Sequence, residues 1–207
     1  MVCEVAAGFP DYANILMVAS NRPNAEFRLN CSQRIARALK HPIEAVRVQA
    51  AKTLSAMADA RCDPIFSKLL DESSPVLLDV AANHFARGSH PAAYEELERL
   101  TGRSGFRKLN DKLLERCFEA LVKSNPKRGV EYIRRSVLGW GFCLGREAIR
   151  FKGAALRALR FADTVEAMVL LQRFAERRRS PLSVVAQGAL RSPPAESEPE
   201  HREAQHA

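Results

Sequence analysis

Aromatic residues are scarce in this chain, at 7% with a single tryptophan, and Leu, Ala, Arg and Glu dominate instead. That balance favours helices over strands. No apolar run approaches the roughly 18 residues that a membrane-crossing helix needs. The best candidate, Ala13–Ala19, is short and has no cationic stretch before it, which argues against a secretory signal. The five cysteines (Cys3, Cys31, Cys62, Cys117 and Cys143) are odd in number and dispersed, with no CxxC pair among them. This excludes a zinc knuckle or a disulfide framework and points to reduced thiols and a cytoplasmic protein.

Catalytic patterns are missing too. His41, His84 and His90 belong to no HExxH motif and have no carboxylate at metal-ligand spacing, so neither metal nor cofactor is expected. Glu95, Glu96 and Glu98 sit side by side rather than across a cleft, which does not suit acid–base work. No cysteine has a recognisable base nearby in the sequence, and Cys117 reads as a small packing residue. His84, beside a core position, reads as a structural histidine. The expectation is a protein that is not an enzyme.

What is present is repetition. SPVLLDVAANHF at Ser74–Phe85 nearly rhymes with SPLSVVAQGAL at Ser180–Leu190. A small residue followed four positions later by a large apolar one occurs at Ala50/Leu54, Ala81/Phe85, Cys117/Leu121, Ala155/Leu159 and Ala186/Leu190. The large members lie 31, 36, 38 and 31 residues apart, and eight positions before each stands Val46, Leu77, Leu113, Phe151 or Leu182. An i, i+4, i+8 triplet is one face of a helix, and its small middle member lets a neighbouring helix approach closely. Between the triplets lie second amphipathic segments carrying Ile35 and Leu39; Ile65, Phe66, Leu69 and Leu70; Tyr94, Leu97 and Leu100; Val130, Ile133 and Val137; and Val169, Leu170, Leu171 and Phe174. Each unit therefore reads helix, turn, helix.

Punctuation agrees. Pro42, Pro64, Pro75, Pro91, Pro126 and Pro181 fall where helices should begin, as suits a residue without an N–H. Asp63, Ser74, Asn125 and Ser180 precede four of them in N-cap position, and Asp163–Glu166 resembles a further cap.

Helix pairs of this length, with VRVQAAKTL and ALRALRFADTVEAMVLLQRFA, resemble bacterial HEAT repeats over roughly Asn24–Arg191. Val46-Arg47 keeps that family's Val-Arg; Leu78, Leu114, Lys152 and Ser183 stand where later units would have the arginine. The Trp, Gly, Tyr and Pro pattern of tetratricopeptide repeats is absent. The resemblance implies an all-α fold, a right-handed α-solenoid of about five HEAT-like helix pairs. It implies recognition of a partner rather than catalysis. Residues 1–23 would form an irregular N-terminal cap, with a short helix at Asn14–Ser20. Residues 192–207, polar and rich in Pro and Glu, would be a disordered acidic tail able to fold back on the basic half.

Charge places the contact surface. Residues 1–98 carry 10 Lys/Arg against 12 Asp/Glu, whereas residues 99–179 carry 20 against 8. Lys112 and Arg150 occupy equivalent positions on successive second helices and would form one stripe. Arg177–Arg179 suit a helix C-terminus. GxGxxxG at Gly139–Gly145 misses the dinucleotide fingerprint and follows no strand, so it is not a nucleotide site. In the loop Ser136–Glu147, Trp140 and Phe142 either offer contact area beside Arg146 and Arg150 or fold under the loop and pack between the third and fourth repeats. The junction Thr101–Asn110 is a second flexible basic stretch. The candidate binding residues are Lys112, Arg116, Trp140, Phe142, Arg146, Arg150 and Arg157, facing an acidic protein partner. Nucleic acid is the alternative. The HEAT-like alkylpurine DNA glycosylases need an aromatic-lined pocket and a catalytic carboxylate that this chain does not supply. HEAT-like bilin lyases share only the repeat.

Overall fold

The computed structural model describes residues 25–57, 60–138, 145–177 and 180–191. The expected N-terminal cap, the tip of the Trp140 loop, Arg178-Arg179 and the acidic tail lie outside them. The described residues form ten α-helices and no strand: α1 Ala25–Ala38, α2 Glu44–Ala56, α3 Asp63–Leu69, α4 Pro75–Ala86, α5 Tyr94–Thr101, α6 Asp111–Ser124, α7 Pro126–Leu138, α8 Arg146–Ala158, α9 Val165–Ala175 and α10 Pro181–Arg191. Short 3₁₀ turns at Pro91–Ala93, Phe106–Lys108 and Leu159–Phe161 join neighbouring helices. No described helix is long and apolar enough to cross a membrane.

The repeated triplets are the buried faces of α2, α4, α6, α8 and α10. Ala81, Cys117, Ala155 and Ala186 are fully enclosed, as are Leu54, Leu77, Phe85 and Leu121; only Val46 and Leu190 are half-buried. Leu159 falls just beyond α8, in the 3₁₀ turn, and is buried there. The intervening segments are helical as well, and Phe66, Tyr94, Leu97, Ile133 and Leu171 fill the core. Val169 departs from its expected place. The α9 core face is Ala167, Leu170, Leu171 and Phe174, an i, i+3, i+4, i+7 stripe that turns Val169 outward to 55% exposure.

Prolines start helices where the missing N–H has no partner to lose. Pro75, Pro126 and Pro181 are first residues of α4, α7 and α10; Pro64 is second in α3, and Pro91 opens a 3₁₀ turn. Pro42 stands two residues before α2, where Arg47 donates to the carbonyls of His41 (2.9 Å) and Pro42 (3.0 Å). Three of the four caps form as expected: the side-chain oxygens of Ser74, Asn125 and Ser180 accept from the N–H groups of Leu77, Arg128 and Leu182. Asp63 does not cap; it is the first residue of α3, and its carboxylate meets His84 instead. At α9 the cap is Thr164, whose hydroxyl accepts from Ala167 N–H. Asp163 precedes it with φ +47°, a left-handed conformation that aspartate tolerates better than most residues.

The chain divides into two compact units, residues 1–84 and 85–207. In the first, α1 lies against α2, and the Ser74 hydroxyl donates to the Glu44 carboxylate. In the second, α6, α8 and α10 lie against one another in sequence order, with α5 and α7 against α6 and α9 against α10. Phe106, Phe118 and Phe151 meet edge to face at the heart of this unit, with centroids 5.2–6.2 Å apart. The junction Thr101–Asn110, expected to be flexible, is therefore anchored through buried Phe106.

Candidate interaction surface

All the net charge belongs to the second unit. Residues 1–84 carry 9 Lys/Arg against 9 Asp/Glu, and residues 85–207 carry 23 against 15. Folding then pairs many of those cations. Arg150 on α8 donates to the Asp111 carboxylate at 2.6 Å and to the Leu109 carbonyl at 3.0 Å, both at the start of α6. Two helical turns later Arg157 donates to Glu115 at 2.6 Å, with Arg160 on the same carboxylate at 3.4 Å. These contacts form a ladder from α8 to α6. Lys123 bridges Glu119 and the Ala86 carbonyl and lies 5.0 Å from the Phe161 ring.

The seven predicted contact residues therefore separate. Lys112 on α6 and Arg150 on α8 stand on adjacent helices, but the guanidinium groups of Arg150 and Arg157, both on α8, hold carboxylates of the same fold. Lys112 and Arg146 are exposed near the starts of α6 and α8 with no carboxylate partner among the described residues, and Lys108 is in the same condition. Arg116 is half-buried on α6. Trp140 and Phe142 lie outside the described residues. Helix occupies both ends of the predicted loop, since α7 continues to Leu138 and α8 begins at Arg146.

The opposite set of helices in this unit holds a second feature. A cleft of about 520 Å³ runs between α7 and α9, within the range usual for ligand and peptide pockets. Its apolar lining is Val130, Val165, Val169 and Leu170; Lys127, Glu131, Arg134, Glu166 and Arg173 supply charge. Val130 and Leu170 are buried, whereas Val165 is 76% and Val169 55% exposed. Arg134 donates twice to Glu131 at 2.7 Å and Arg135 once at 3.0 Å. Those hydrogen bonds, Arg134's first, hold the Glu131 carboxyl below the usual carboxylate range and raise the Arg134 guanidinium. Lys127, Arg173 and Glu166 have no ion-pair partner among the described residues. The linear sequence concealed this cleft because Val169 sits amid a run of five apolar residues, Ala167–Leu171. Only the helix phase set by Leu170, Leu171 and Phe174 turns it outward.

Between α5 and α7, Arg128 reaches Glu98 at 3.4 Å and Glu95 at 3.6 Å and covers the Tyr94 ring at 4.2 Å. Burial, followed by the Glu98 charge, pushes the Tyr94 phenol up to about 12. The consecutive carboxylates at 95–98 are thus partners for arginine, since Glu96 pairs with Arg99. In the first unit His84 is buried, stacks on Phe66 with centroids 3.9 Å apart, and holds Asp63 at 3.0 Å. Sequence reasoning placed His84 in a structural role and missed its carboxylate, which lies 21 residues upstream. Neither a protein-family model nor a curated protein sequence matches this chain.

Proposed function

We propose that this chain is a HEAT-like, right-handed α-solenoid of about five helix pairs. In this reading it serves as a non-enzymatic, cytoplasmic adaptor that binds an acidic protein surface through residues 99–179. The observation that carries the reading is the succession of α6, α8 and α10 against one another, with equivalent positions of the sequence repeat (Leu113, Cys117 and Leu121; Phe151 and Ala155; Leu182 and Ala186) forming their buried faces. A unit of this kind buries its apolar face by stacking on the next, which leaves long helical surfaces for recognition. The exposed cations Lys108, Lys112 and Arg146 favour an anionic partner.

Recovery of tagged full-length chain from its host, with and without nuclease, tests this. The expected result is a discrete protein that stays bound after nuclease and is lost with Lys112→Glu/Arg146→Glu. These positions are preferable to Arg150 and Arg157, whose reversal would break the α6–α8 ladder and confound binding with stability. Partners that vanish on nuclease treatment would establish nucleic acid as the ligand instead. Retention of every partner by the double variant would rule this surface out.

A further inference from the structure

The cleft between α7 and α9 is made of two kinds of surface that a free helix face has little reason to combine. Val165 and Val169, one helical turn apart, stand open to solvent above a floor of buried Val130 and Leu170. Around them, Lys127 and Arg173 are exposed with no carboxylate partner among the described residues, while Arg134 and Arg135 neutralise the Glu131 carboxylate. Among the described residues, Glu166 is the lining carboxylate that no arginine holds. The positive groups left available outnumber the negative one.

We propose that this cleft is a docking groove for an acidic amphipathic helical segment of a partner protein. Aliphatic side chains at helical spacing would cover Val165 and Val169, and flanking carboxylates would meet Lys127 and Arg173. An amphipathic helix laid in a groove between two helices is a recurrent mode of peptide recognition, read through anchors at i, i+3, i+4 and i+7. No aromatic ring lines the cleft to stack a base, which favours peptide over single-stranded nucleic acid. The chain's own residues 192–207 have the acidity but no aliphatic side chain larger than alanine or proline, so they match the rim and not the floor. The occupant proposed here is a segment of a separate chain. The groove shares a protein partner with the adaptor reading but uses other helices than Lys112 and Arg146, so the two fail separately.

The test uses full-length protein and a displayed library of random peptides of about twelve residues, long enough for three helical turns. Enriched peptides should carry Leu, Ile or Val at helical spacing together with Glu or Asp. A synthetic copy of the best should bind wild-type protein in fluorescence anisotropy. Val169→Lys, and separately Lys127→Glu/Arg173→Glu, should each weaken it about tenfold or more. All three positions are exposed, and circular dichroism and melting establish that each variant is folded. Lys112→Glu/Arg146→Glu should bind the peptide as wild type does. Failure to enrich any peptide, a basic consensus, or affinity indifferent to both groove variants would overturn the proposal. Loss of binding only in Lys112→Glu/Arg146→Glu would do so as well, while assigning peptide recognition to the other surface.

Discussion

Two glycines show how a single Cβ can have opposite consequences at different places in this fold. A Cβ on Gly129 of α7 would lie 2.9 Å from Val122 Cα and 3.2 Å from the Leu121 carbonyl, both backbone atoms of α6 that cannot turn aside. Gly129→Ala should therefore cost about 1–3 kcal/mol despite alanine's better helix propensity. On Gly153 of α8 the nearest atoms are side-chain atoms of Arg157 and Val185 at 3.5–3.9 Å, ordinary contact distance. Gly153→Ala should stabilise by about 0.5–1 kcal/mol. Urea midpoints of the two variants, measured side by side, check the pair. Tyr94 offers a titration at the same scale. Its folded pKa of about 12 exceeds the ordinary 10, so the unfolded state loses this proton first. The contribution is complete below pH 10 and disappears as pH rises from 10 to 12, on the order of 2 kcal/mol. Stability measured across that window should fall less steeply in Tyr94→Phe than in wild type; equal slopes would contradict the burial of this phenol.

Helices in the second unit are joined by ionic contacts as well as by apolar faces. The Arg157–Glu115 pair joins α8 to α6 with both side chains only a quarter to a third exposed, at 32% and 24%. A double-mutant cycle of Arg157→Ala and Glu115→Ala should give a coupling of about 1 kcal/mol, above what an open surface pair supplies. Arg160 shares the carboxylate, so Glu115→Ala should be the more damaging single change. At the start of α6, Asn110 accepts from Leu113 N–H at 2.9 Å. Asn110→Ala should cost about 1 kcal/mol, readable as a lowered urea midpoint. This cap was not among those recognised in the sequence. Its signal was an asparagine just before the amphipathic run that begins at Asp111.

For the whole molecule, folding leaves the formal +8 unchanged, and the relevant quantity is which cations stay clear of carboxylates. Arg128, Arg134, Arg135, Arg150, Arg157 and Arg160 all hold carboxylates, and Lys123 does too. If phosphates meet mainly Lys108, Lys112 and Arg146, log K for a mixed-sequence DNA duplex should fall against log salt with a slope of about −3. A titration giving a slope near −10 would mean that many more cations than these three meet phosphate, and nucleic acid would become the better reading of this surface.

Local sequence is enough to show that these residues fold as helices, where most helices begin, and which face most of them bury. Those properties depend on local periods, on proline's missing N–H and on cap chemistry, all of which act within a few residues along the chain. Even Cys117, standing where other units have alanine, was legible as a packing residue because its place in the triplet required a small side chain. The tertiary structure alone decided which charges are spent. Asp111 and Arg150, Glu115 and Arg157, and Asp63 and His84 are 39, 42 and 21 residues apart, and no local rule pairs them. It also decided that Val169 faces outward, since one residue of helix phase separates the core of α9 from the wall of the cleft. Periodicity is a property of one segment, whereas ion pairs and clefts require two segments to be brought together.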